Sequence, residues 1–157
     1  MLFLSLRVVN STESMQLEIN ALTVDAKKKF STNESLKFSI HTGNINGFIY
    51  LIYINKTGDT NIIYPTDTSI PKKQSGTLNF PEDFDNIEIK TTKECKDCKE
   101  EKTTIFVLLS NDPIENIENM NESDFKTIKN KTSEKTRSLF NEEEKTILIN
   151  QFDFLVE

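Results

Sequence analysis

The chain has no tryptophan, one histidine, two cysteines, four glycines and four prolines among 157 residues. Each scarcity removes a class of chemistry. A single histidine, His41, leaves no His-rich metal site and no second imidazole for acid–base work. Two cysteines allow one disulfide or half of a four-cysteine zinc site, with no second pair to complete it. The four glycines are scattered, so there is no glycine-rich loop to cradle a phosphate. With 3 Tyr against 11 Phe, stacking surfaces for nucleobases are few, and a net charge of -6 repels phosphate backbones. A nucleic-acid partner is not expected. No segment approaches the ~20 consecutive apolar residues that a membrane-spanning helix needs.

The patterning that is present is β-sheet patterning. Leu36, Phe38 and Ile40 alternate with Lys37, Ser39 and His41, the period of a half-buried strand. After the Gly43–Gly47 turn comes a continuous apolar run, Phe48 to Ile54, then a turn with Gly58 and Asp59, then Ile62-Ile63-Tyr64 stopped by Pro65. This reads as a hairpin whose first strand is buried on both faces. Thr103 to Ser110 (TTIFVLLS) is a second run of that kind, so it should lie centrally beside the strand that begins at Gly47. Thr77 to Phe80 reads as a short strand closed by Pro81, and Phe84, Ile87 and Ile89 mark another, running to about Thr92. Leu2, Leu4, Leu6 and Val8 read as a first strand, or as the remnant of an export signal, and Met15 to Val24 as a second strand.

At Asp112-Pro113 the period changes. Asp112 can cap a helix and Pro113 suits its first turn, with Ile114, Ile117 and Met120 following at helical spacing. A helical insertion over about 112–144 is expected, with a terminal strand over about 146–156 that presents Phe152, Phe154 and Val156 on one face. Eight or so short strands with irregular returns and one late helix argue a single mainly β domain, 1–157, of Greek-key sandwich type.

The order of these signals resembles a bacterial module known as a domain of unknown function, often appended to caspase-like peptidases, protein kinases or envelope proteins. The resemblance spans roughly residues 30–115 and rests on the order of its features. These are the Leu36-Phe38-Ile40 alternation, Gly47-Phe-Ile-Tyr-Leu-Ile-Tyr, Gly58-Asp59, Ile63-Tyr64-Pro65, a loop ending at Ile70-Pro71 and Gly76, Phe80-Pro81, and the Ile105–Ser110 strand before Asp112-Pro113. It implies an immunoglobulin-like antiparallel β-sandwich and brings no catalytic residues to carry over. The charged segment Lys93–Lys102, which holds both cysteines, departs from the family's Pro/Gly-rich loop.

Cys95-Lys-Asp-Cys98 is the motif with most chemical character. Two intervening residues permit a local disulfide in an oxidising compartment, free surface thiols, or a redox or metal role aided by Asp97, Glu100 and Glu101. His41 should face solvent on its strand. Asp112, Glu115, Glu118, Glu122 and Asp124 lack the glycine-centred spacing of a calcium loop and read as a solvated helix face. The Tyr64-Pro65 exit reads either as an interaction loop with Tyr64 as anchor, or as a strand end with Tyr64 packed inward. The expectation is a non-enzymatic protein-interaction or accessory module with a protein partner, no cofactor, no metal and no catalytic set, at a bacterial envelope or periplasm. The alternatives are a thiol-redox or metal-binding protein using Cys95 and Cys98, and a sandwich that binds a small ligand between its sheets.

Overall fold

The computed structural model describes residues 22–135 and 147–157; the strand expected at Leu2–Val8, most of that at Met15–Val24 and the acidic run Glu142–Glu144 fall outside them. Nine strands are formed among the described residues: β1 Thr23–Ala26, β2 Lys29–Phe30, β3 Phe38–His41, β4 Gly47–Ile54, β5 Thr60–Tyr64, β6 Lys73–Gln74, β7 Thr77–Phe80, β8 Glu101–Ser110 and β9 Ile147–Val156. A 3-10 turn (Ile117–Asn119) and one helix, α1 (Glu122–Lys135), lie between β8 and β9. The strands build a three-stranded sheet, β1-β3-β7, and a larger one, β2-β9-β8-β4-β5, with β6 pairing the start of β4 on the side where β5 pairs its end. Every pairing is antiparallel except the two-residue contact of β2 with β9.

The central position of β4 and β8 follows from their composition. A strand apolar on both faces is stable only where both faces are covered. Register sets Ile49 opposite Leu109 and Leu51 opposite Val107 on one face, and Tyr50 opposite Leu108 and Ile52 opposite Phe106 on the other. The first set joins Phe38, Ile40, Phe80 and Phe84 in the core between the two sheets. The second forms a separate core with Ile117 and Phe125, from the 3-10 turn and α1. The large sheet is thus sandwiched, by the small sheet on one side and by helical segments on the other. Phe154 and Val156 of β9 pack into the inter-sheet core, with Phe152 beside them. Among the described residues, no helix is long and apolar enough to cross a membrane.

Two expectations are corrected. The helix does not start at Asp112. Asn116 adopts a left-handed conformation (φ 55°) that interrupts any helix there, and the Ile114 N–H donates instead to the Tyr50 hydroxyl at 2.9 Å. The true start is a reciprocal cap: Asn121 Oδ1 accepts the Asp124 N–H at 3.0 Å, and Asp124 Oδ2 accepts the Asn121 N–H at 2.9 Å. Nor do Phe84–Thr92 make a sheet strand. Residues 81–86 turn, Asp85 and Asn86 with positive φ. Residues 89–91 then meet residues 33–36 outside either sheet, through one antiparallel bridge, Ser35 with Lys90, and backbone hydrogen bonds that link Leu36 to Ile89 and Thr91 to Asn33 and Glu34.

Gly47 opens β4 in close contact with the end of β8. A Cβ there would lie 2.7 Å from the Ser110 carbonyl oxygen and 2.8 Å from Leu109 Cδ1. Gly47→Ala must therefore push apart the two central strands β4 and β8. We expect a cost of about 1–3 kcal/mol, read as a melting temperature lower by roughly 3–10 °C.

Candidate functional site

The residues singled out in the sequence do not converge. Tyr64 is buried, its ring edge-on to Phe84 at 4.9 Å and its hydroxyl donating to Gln74 Oε1 at 3.1 Å. Pro65 is buried beside it, after a cis peptide bond. Of the two arrangements open at this exit, Tyr64 takes the inward one, and the exposed apolar residue of the following loop is Ile70. His41 stands on the outer face of the small sheet, Nε2 2.8 Å from Asp25 Oδ2 and Nδ1 3.1 Å from Thr77 Oγ1. The line hydroxyl–imidazole–carboxylate has the order of a nucleophilic triad. Yet Asp25 is 80% exposed, and the three sit on neighbouring strands of an open sheet with no enclosed site for a reacting carbonyl. It links strands.

Cys95 and Cys98 are joined by a disulfide with Cα atoms 5.4 Å apart. Their loop is tied into the sheet by a carboxylate. Glu101, the first residue of β8, continues the inward row of Thr103 and Ile105, and its side chain is only 7% exposed. Its oxygens accept the N–H groups of Glu94 (2.5 Å) and Cys95 (3.3 Å) and pair with the Lys56 ammonium (2.5 Å). Burial pushes the Glu101 carboxyl up, but the Lys56 ammonium and the two N–H groups outweigh it and hold the carboxyl below the ordinary carboxylate value. Glu94 makes the return link: its carboxylate accepts from the Tyr53 hydroxyl and from the Lys56 N–H, both at 3.3 Å. The cystine loop, the β4–β5 turn and the end of β4 are thereby joined. The turn itself is fixed by Asn55, whose Oδ1 accepts from the N–H groups of Thr57 and Asp59 at 3.1 and 2.8 Å.

Beside this network lies a half-open cleft of about 190 Å³. Its inner wall is the buried row Leu36, Ile105, Phe154 and Val156; its mouth is formed by the half-exposed Tyr53, Ile63 and Ile89. Ile63 is the extra residue of a bulge in β5, since Leu51 pairs Tyr64 while the next residue, Ile52, pairs Ile62. A bulge re-aims the side chain it carries, and here it adds an isoleucine to the mouth on an edge strand. Three of the polar side chains that line it are already engaged. Tyr53 bonds Glu94, Lys90 bonds Glu88 and Ser35, and Thr91 bonds the carbonyls of Ser31 and Glu34. The cleft therefore selects for apolar shape and not for charge.

Tyr53 reports on this geometry. Burial first, then the negative charge of Glu94 and of Glu101, push its phenol up to about 12. A raised phenol stabilises the fold fully below its unfolded value near 10, and that contribution is lost as pH rises toward 12. We expect the Tyr53 ring carbon, followed by NMR in selectively labelled protein, to stay protonated past pH 11. Glu94→Gln should bring its titration down toward 10.

Among the described residues, no group of three or more His, Cys, Asp or Glu side chains is placed to hold a metal ion. No family model, no curated protein and no solved structure matches the chain. Sequence reasoning picked out the cysteine pair and named Glu101 only as an aid to a metal or redox role; it missed Glu101 as the anchor of the cystine loop, and it missed Tyr53 and the cleft. A glutamate that opens a strand and shares the alternation of Thr103 and Ile105 was the available signal, because a carboxylate on the inward row must find partners.

Proposed function

We propose that this chain is a non-enzymatic binding module, an immunoglobulin-like β-sandwich of the bacterial type it resembles, serving an envelope-associated system through a protein partner. The half-open apolar cleft carries the reading. Apolar surface left accessible at a rigidly framed end of a sheet gains most when a partner covers it. Its volume supports one kind of occupant over another. About 190 Å³ is below the roughly 300–1,000 Å³ of pockets that enclose small molecules, and close to the ~150 Å³ cavities that hold one benzene-sized group. One apolar side chain of a partner fits better than a free metabolite. The disulfide supports an oxidising compartment, where such bonds persist.

Site-directed photo-crosslinking in the native organism tests this. With the exposed Thr92 at the cleft rim replaced by p-benzoylphenylalanine, a discrete protein adduct should form. It should vanish in a background carrying Ile63→Lys, and should not form from Lys37 on the small sheet. Adducts that ignore Ile63→Lys, or no protein adduct at the rim, would overturn the reading.

A further inference from the structure

We infer that the Cys95–Cys98 disulfide sets the shape of the cleft mouth, so that reduction by an external thiol or dithiol switches the module from its binding form to a released one. This rests on the cleft being the binding site.

The relay is continuous in space. Thr91 and Thr92 line the cleft, and Lys93 leads directly from them into the cystine loop. Within that loop the disulfide is reinforced by the Cys98 N–H donating to the Cys95 carbonyl at 3.3 Å and by the Lys93 ammonium donating to the Cys98 carbonyl at 2.9 Å. From the loop, Glu94 reaches the Tyr53 hydroxyl at the mouth, while the Glu94 and Cys95 N–H groups are held by Glu101. Once the S–S bond is cut, only hydrogen bonds remain to close the loop: the Cys98 N–H and the Lys93 ammonium within it, and the Glu94 and Cys95 N–H groups to Glu101 at its base. The chain entropy of Lys93–Lys99 then works against the position of Glu94, and Tyr53 loses its fixed acceptor. Both cysteines are half-exposed, so a reductant can reach them. The step balances: the disulfide takes up two electrons and two protons to give two thiols, and two external thiols become one disulfide. Eight of the ten residues Lys93–Lys102 are charged, all but the two cysteines, which leaves the released loop soluble and not collapsed onto the cleft.

NMR spectra of the isotope-labelled full chain, with and without dithiothreitol, decide it. On reduction, the Glu94 and Cys95 amides should exchange about 20-fold faster, the loss expected when a four-residue loop closure is removed. The Tyr53 and Ile63 signals should shift, while Phe125, in the other core, stays in place. Unchanged Tyr53 and Ile63 signals after the cysteine Cβ shifts report reduction would overturn the relay; so would global loss of dispersion that takes Phe125 with it. In Glu94→Ala with its disulfide intact, Tyr53 should already sit at its shifted position and move no further on reduction. If reduction still moves Tyr53 as far as in the parent, the route through Glu94 is wrong. These spectra need no partner, so they stand apart from the rim crosslink. That adduct should fall severalfold in reduced cells if both readings hold, and be absent in either redox state if the binding reading alone fails.

Discussion

Phe106→Ala will lower the stability of the chain by about 3–5 kcal/mol, a large part of the roughly 5–15 kcal/mol that holds a domain of this size together. Phe106 has no exposed surface, sits in the middle of β8 opposite Ile52 of β4, and stacks on Phe125 of α1 with ring centroids 5.7 Å apart. Truncating it removes an aromatic ring from the smaller of the two cores, and the neighbours cannot collapse into the void because β9 flanks β8 along its whole length and β4 flanks it from Thr104 to Ser110. Urea denaturation should show a lower midpoint with an unchanged slope, since the surface exposed on unfolding stays nearly the same. Phe125→Ala opens the same contact from the helix side. The double variant should cost less than the sum by roughly 1 kcal/mol, the coupling of an aromatic pair. A Phe106→Ala loss under 1 kcal/mol would mean that α1 does not cover this face of the sheet.

The same residues explain how far the fold was legible beforehand. β4 and β8 announce themselves because a strand covered on both faces leaves no polar position, and their pairing follows from that demand; both were read correctly, and they are adjacent. The short strands were legible only where alternation is clean, as in Phe38–His41 and Thr77–Phe80. Lys29–Phe30 and Lys73–Gln74 are two residues each, too short for any period, and exist because the backbone beside β9 and β4 offers partners. Phe84, Ile87 and Ile89 have strand-like spacing, yet Asp85 and Asn86 between them take positive φ and fold the segment into turns, a conformation to which Asp and Asn are inclined. The helix start was misplaced because Asp112-Pro113 and Asn121–Asp124 are both legitimate caps. What decides is tertiary: Phe125 has a buried place against Phe106, and the Tyr50 hydroxyl takes the Ile114 N–H. At the candidate site, sequence could mark the cysteines as a pair but not their neighbours. The Tyr53–Glu94 contact spans 41 positions of chain, and long-range polar contacts leave no local pattern.

Glu101→Ala will cost about 2–3 kcal/mol although it removes a charge from the interior. Removal of a buried acceptor leaves its donors unsatisfied, and here the Glu94 and Cys95 N–H groups lose their partner together. Lys56 is half-exposed and can turn to water, which keeps the loss below that of breaking a fully buried ion pair. Acid titration gives this substitution its signature. The folded chain holds the Glu101 carboxyl below its unfolded value near 4.3, so its contribution is complete above that value and disappears as pH falls through the lowered one. Parent and variant should therefore differ most at neutral pH and converge in acid, as followed by thermal melting from pH 7 to pH 3. Lys56→Met separates the ammonium from the N–H groups. It leaves both backbone donors in place but removes the cation, so burial weighs more heavily, the carboxyl moves back up, and the acid-dependent loss begins at higher pH than in the parent. If Lys56→Met instead left the acid profile unchanged, the N–H groups alone would be holding Glu101 ionised, and the β4–β5 turn would be no part of the network that fixes the cystine loop.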